Sequence, residues 1–198
     1  MVIDMKPKDR PENPLALGMM AMLAERPMHP YEIASTLRDR HGEEAIKIRF
    51  GSLYSVIAQL VDRDWIVALE VAQSGRRPEH TKYELTELGR IELTAWMRQL
   101  IAEPVKEYPK FEAALCLIAV LEPEDAAERL GERLTRLESA IDRLQAEIDG
   151  VLKQGLDPVS VADADYRLAM MKAERDFCRN LRPWLVERAR RPREETSP

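Results

Sequence analysis

The chain has 198 residues, 45% of them hydrophobic and 33% charged, with 6% aromatic and a net charge of −5. That allows one sizeable domain or two small ones, and it favours helices with salt-bridged outer faces over a sandwich or barrel. The negative total carries no basic signature of a nucleic-acid binder, although such affinity depends on where charge sits rather than on its sum. Asp4, Asp9 and Glu12 interrupt the positive start of the chain, and no small-residue cleavage site follows, so no secretory signal is expected. No apolar run approaches the ~18 residues of a membrane span, and a cytoplasmic protein is expected.

In chain order, Asn13-Pro14 opens a first helix, with a capping side chain followed by proline in the first turn. Leu15, Met19, Met22 and Leu23 fall on one face, and the helix ends near Arg26-Pro27. A second helix begins at His29-Pro30, carries Tyr31, Ile33, Ala34 and Leu37, and is expected to stop at His41-Gly42. A third follows Gly51, with Leu53, Val56, Ile57 and Leu60 on a single stripe. The period then changes: Trp65 to Val71 and Thr81 to Leu85 read as strands around a polar turn containing Gly75 and Pro78. Thr86 caps a fourth helix running through Leu93 and Trp96 to Ile101. Three helices, a hairpin and a helix form a winged helix-turn-helix arrangement over residues 13–101. The fold class expected is mainly α with a small β-hairpin.

Ala102 to Pro109, with two prolines, reads as a linker, and residues 110–190 read as helical almost throughout. Leu130, Leu134, Leu137, Ile141, Leu144, Ile148 and Val151 recur in steps of four and three. After a break at Gly155 to Pro158, Tyr166, Met170, Ala173, Phe177, Leu181 and Trp184 repeat the rhythm. Two long amphipathic helices joined by a short loop form an αα-hairpin, and each stripe must bury itself against the other helix or a second subunit. Residues 110–190 are therefore expected to dimerise, through Leu130, Leu134, Leu137, Ile141, Leu144, Ile148, Phe177 and Leu181. Cys116 and Cys178, the only cysteines, read as small buried hydrophobes rather than a disulfide framework.

The chemistry lies in the first half. The third helix turns Ser52, Tyr54, Ser55 and Gln59 outward near its beginning, where a recognition helix reaches bases and phosphates, and Lys47 and Arg49 precede it. Arg76 and Arg77 sit at the hairpin tip with His80 and Lys82 on its return, and Tyr31 opens the neighbouring helix. From Ile46 to Lys82 there are six basic side chains against four acidic ones, a local positive excess inside a negative chain. Two adjacent arginines on a turn suit a phosphate or minor-groove contact.

HPYEI at 29–33, GSLYSVIAQL at 51–60, RRP at 76–78 and YELTELGR at 83–90 resemble the PadR family of bacterial transcriptional regulators, with all four blocks at matching spacing. The resemblance is strong over residues 14–101 and loose beyond. It implies binding to a palindromic operator, repression, a C-terminal helical region that builds the dimer, and release by a small molecule such as a phenolic acid or hydrophobic drug. Pro30 stands where the family commonly has glycine, and Ser55 where proline commonly follows the tyrosine. Ser55 adds a hydroxyl, so operator preference does not carry over.

Other chemistries are weak. His29, His41 and His80 lie on separate elements without partners at metal-ligand spacing, and there is no phosphate loop and no nucleophile with a matched base. No enzyme activity, cofactor or metal is expected. Met19, Met22 and Trp96 are candidates to border an aromatic effector, with a packed core as the plainer reading. The expectation is a homodimeric, ligand-responsive repressor acting on double-stranded DNA. The alternative is a winged-helix protein-interaction module without specific DNA binding.

Overall fold

Asn13 accepts a hydrogen bond from the Leu15 amide through its side-chain oxygen at 3.0 Å. Pro14 then occupies a position whose N–H would be orphaned anyway. The computed structural model, which describes residues 11, 13–48, 50–69 and 81–190, continues from this cap through α1 (Pro14–Glu25), α2 (Pro30–Ala45) and α3 (Phe50–Val61). Strands β1 (Ile66–Leu69) and β2 (Lys82–Leu85) pair antiparallel with Ile66 opposite Leu85 and Leu69 opposite Lys82. Helix α4 (Glu87–Ala102) follows. Glu70, Val71 and the turn between the strands lie outside the described residues.

The apolar spacing of these helices decides what they bury. Leu15, Met19 and Leu23 of α1 meet Ile33 and Leu37 of α2 and the whole α3 stripe Leu53, Val56, Ile57 and Leu60. Trp65 and Ile66 belong to the same core. One expected boundary is corrected: α2 does not stop at His41-Gly42 but continues to Ala45. A glycine inside a helix costs only about 1 kcal/mol relative to alanine, and the Glu43, Glu44 and Ala45 that follow favour the helix.

Chain contacts divide the molecule into two units, Met1–Lys106 and Glu107–Pro198. The second contains α5 (Lys110–Cys116), a 3₁₀ turn at Ile118–Val120, α6 (Pro123–Lys153), a second 3₁₀ turn at Pro158–Val161 and α7 (Ala162–Arg190). The reversal between the long helices uses Gly155 at φ +83°, a conformation L side chains rarely adopt. Ile141, Ile148, Val161 and Leu168 are buried together, with Leu144, Val151 and Met171 packed around them. Polar pairs lace the hairpin: Arg133 to Glu174 at 2.6 Å, Arg179 to Glu138 at 2.8 Å and Lys172 to Gln145 at 2.9 Å.

The two long stripes part company here, and one cysteine departs from expectation. The α6 stripe is turned into the hairpin, but the α7 stripe is not: Tyr166, Met170, Phe177 and Trp184 are 68%, 55%, 47% and 72% exposed. The α7 residues that are buried are Leu168 and Cys178, on another face. Two helices bury one stripe each, and α7 carries apolar residues on more than one. Cys116 is exposed rather than buried, because the short α5 buries none of its residues. Among the described residues, no helix is long and apolar enough to cross a membrane.

Candidate nucleic-acid interface

Helix α3 owes its orientation to its buried side. With Leu53, Val56, Ile57 and Leu60 locked in the core, Gly51, Ser55, Ala58 and Gln59 are exposed and Ser52 and Tyr54 are half-buried. The Ser55 hydroxyl donates to the Ser52 carbonyl at 2.8 Å, which fixes its rotamer and leaves its lone pairs outward. Tyr31, 50% exposed, meets Tyr54 edge-to-face with ring centroids 6.3 Å apart. This contact joins the start of α2 to the start of α3. Lys47 and Lys82 are exposed. Arg49, Arg76, Arg77 and His80, also expected at this face, lie outside the described residues.

A polar clasp holds the base of the hairpin beside α3. The Thr86 hydroxyl donates to the carbonyls of Asp64 (2.6 Å) and Trp65 (3.1 Å) and accepts from the Gly89 amide at 2.9 Å. Asp64 sits at φ +56°, turning the chain sharply from α3 into the strand. The approach of α4 to this turn leaves no room for a side chain at residue 89, where a Cβ would stand 2.1 Å from the Trp65 carbonyl oxygen. Arg63 donates to the Gln59 carbonyl at 2.8 Å and lies 5.9 Å over the Trp65 ring. On the inner side, Met28 and Tyr83 exchange amide-to-carbonyl hydrogen bonds at 3.1 and 2.9 Å.

Electrostatics at the α2 start are tempered. Arg26 lies 2.6 Å from the Glu32 carboxylate. That bond holds the Glu32 carboxyl below its ordinary range, burial opposes it, and the His29 amide and the charges of Arg26 and Lys82 reinforce it. Lys82 is therefore partly answered by an acidic neighbour.

The other predicted positions fall as follows. Met19, Met22 and Trp96 are all packed into the core of the first unit. Leu130, Ile141 and Ile148 are buried, Leu134, Leu137, Leu144 and Leu181 are half-buried, and Phe177 is exposed and packs edge-to-face on Phe111 at 6.4 Å. Sequence reasoning placed Thr86 as a helix cap, but its bonds to Asp64 and Trp65 span a long chain separation and left no local signal. Met28 was missed for the same reason, since its partner Tyr83 is far along the chain. No group of three or more His, Cys, Asp or Glu side chains among the described residues could hold a metal ion.

A three-helix core, a hairpin clasped to the end of its third helix and a fourth helix behind it define a winged helix-turn-helix protein. Residues 19–95 match the transcriptional regulator PadR-like family, so this part of the chain is similar to a family of transcription regulators. Solved structures agree on the fold. The PadR of Bacillus subtilis in complex with operator DNA is 19% identical, with 91% of this chain and 98% of that one covered at a TM-score of 0.57. The same protein in complex with p-coumaric acid is 16% identical, with 89% and 99% covered at 0.62. The PadR-like regulator BC1756 of Bacillus cereus is 16% identical, with 88% and 99% covered at 0.57. No curated protein matches the sequence.

Proposed function

We propose that the chain is a homodimeric repressor that binds a palindromic operator and is released by a small aromatic effector. The observation that carries the reading is α3: its apolar stripe is wholly consumed by the core, and its opposite side offers short hydrogen-bonding side chains beside a clasped hairpin. In this reading, residues 13–101 bind DNA and residues 110–190 dimerise. Ser52, Ser55 and Gln59 face base edges, with Tyr54 and Tyr31 shaping the approach. Lys47, Arg49, Arg76, Arg77, His80 and Lys82 meet phosphates or the minor groove. A twofold dimer presents two such helices and so selects a palindrome. The structures of B. subtilis PadR with operator DNA and with p-coumaric acid support both ligands by analogy of fold. An effector bordered by Met19, Met22 and Trp96 would have to open a packed core. Such a coupling between core and DNA face is what a releasing ligand needs.

The test is a salt titration on operator and scrambled duplexes taken from the chain's own upstream region. Replacing Arg76 and Arg77 with alanine should weaken both duplexes and flatten the slope of log affinity against log salt by about two. Gln59→Ala should relax preference at one or two operator positions by about 1–3 kcal/mol and keep the slope. An unchanged slope in the double-arginine variant removes the hairpin from DNA. Failure of the wild-type chain to retard its upstream duplex would leave the protein-interaction module as the better reading.

A further inference from the structure

By its backbone and its acidic neighbours, the C-terminal end of α3 is a poor surface to bring to DNA. The last carbonyls of a helix carry partial negative charge, and exposed Asp62 and Asp64 add a carboxylate on either side of residue 63. Yet this end continues the face that carries Ser52 and Gln59. The backbone keeps its helical path just past Val61, with the Asp62 amide donating to the Ala58 carbonyl at 2.9 Å. At about 100° per residue, positions 52, 59 and 63 then point the same way. Position 63 lies about 6 Å beyond Gln59 and about 16 Å beyond Ser52 along the axis, whereas the major groove is about 12 Å wide. A straight helix seated over bases at Ser52, Ser55 and Gln59 runs out of groove one turn further on. Residue 63 therefore stands over phosphates rather than bases.

We propose that Arg63 is a phosphate anchor that turns this repelling end into a holding one and stops α3 from sliding along the groove. The proposal rests on the DNA-binding reading above and adds a contact that reading does not contain. Three observations support it. The Arg63 guanidinium donates to the Gln59 carbonyl at 2.8 Å, which places its positive charge on the end that the carbonyls make negative. It also lies 5.9 Å over the ring of Trp65, an indole buried completely in the core. Its supports are thus the last turn of α3 and the residue before β1, where the Thr86 clasp is also attached. A planar fork held in this way loses little rotamer freedom when it meets a phosphate, so the contact is organised before DNA arrives. Its place at the junction of recognition helix and hairpin suits a register contact, which positions the base-facing side chains without reading sequence itself.

The test is a scan of single methylphosphonate substitutions, each removing one phosphate charge, across a retarded duplex from the chain's own upstream region. At the phosphate that meets Arg63, the wild-type chain should lose affinity by about tenfold. Arg63→Met keeps an apolar stem over Trp65 but not the charge. It should lose less than about twofold at that phosphate and respond like the wild type at every other position. Its slope of log affinity against log salt should be shallower by about one, whereas Arg63→Lys, which keeps the charge, should keep the slope. Identical scans for the wild type and Arg63→Met overturn the anchor while the DNA-binding reading stands. Weaker binding by Arg63→Met at an unchanged slope, with the far-ultraviolet circular dichroism of the wild type, also overturns it, because that is the signature of a brace for α3 and not of a contact. A wild-type chain that retards no upstream duplex removes the DNA-binding reading, and the anchor falls with it.

Discussion

The two units spend their hydrophobic residues in opposite ways. Among the described residues, the first packs four helices and the base of a hairpin around one cluster of 18 buried residues, whereas the buried cluster of the second is four residues between two helices and a short turn. Small elements converging from several directions can enclose side chains completely. A two-helix hairpin encloses one face of each helix and leaves the others to water or to a partner. The first unit is thus a finished interior with a candidate DNA face outside, and the second is an unfinished interior whose outside still carries apolar side chains.

Tryptophan offers the sharpest way to break this contrast. Trp65 is buried in the first core, while Trp184 is largely exposed on α7. Trp65→Ala should cost about 3–5 kcal/mol in urea unfolding, the range for large aromatic truncations in a core. Trp184→Ala should shift the unfolding of the monomeric chain by about 0.5 kcal/mol or less, and act on association instead. Equal losses at the two sites would show that α7 is covered within its own chain.

The glycines sharpen the same comparison more gently. A methyl at residue 89 collides with the Trp65 carbonyl, while one at residue 150 in α6 meets nothing within 4 Å. Gly89→Ala should destabilise by about 3 kcal/mol, because backbone rather than a pliable side chain blocks the way. Gly150→Ala should stabilise by up to about 1 kcal/mol through helix propensity alone. Thermal unfolding of both variants decides the point, and a stabilising Gly89→Ala would mean that the clasp at Thr86 is looser than described.

The smallest effect concerns the thiols. Cys116 is exposed, whereas burial pushes the Cys178 thiol above its ordinary range, a shift eased by Arg133 and strengthened by Glu174. A raised value means less thiolate at any given pH, so alkylation at neutral pH should modify Cys116 first and reach Cys178 slowly until the hairpin opens. Mass spectrometry of partially alkylated protein reads the order, and equal rates would contradict the burial of Cys178.

These contrasts also explain which parts of the molecule the residue pattern announces. The α3 stripe, the Asn13 and Thr86 caps and the strand period around Trp65 act over a few residues, so spacing alone locates them. The direction of the α7 stripe does not follow from spacing, since Tyr166, Met170 and Phe177 share a period with neighbours that lie on another face. Which face wins depends on where α6 places Ile141 and Ile148. The end of α2 was misplaced because Gly42 reads locally as a stop, while the residues after it keep the helix going. At the candidate DNA face, outward residues such as Ser55 and Gln59 were legible because the opposite stripe is so clear. The contacts of Thr86 with Asp64 and Trp65 were not, because they join residues more than 20 positions apart.

The paired hydrogen bonds between Met28 and Tyr83 have a consequence for solubility. A two-stranded sheet has two open margins, and each is a template on which a foreign strand can grow. Here the β2 margin is occupied by a single residue from the turn between the first two helices, which donates and accepts as a third strand would. That one-residue patch blocks edge-on polymerisation at β2. A proline at position 28 would lack the N–H and leave the Tyr83 carbonyl open, turning a regulator's hairpin into a site for aggregation.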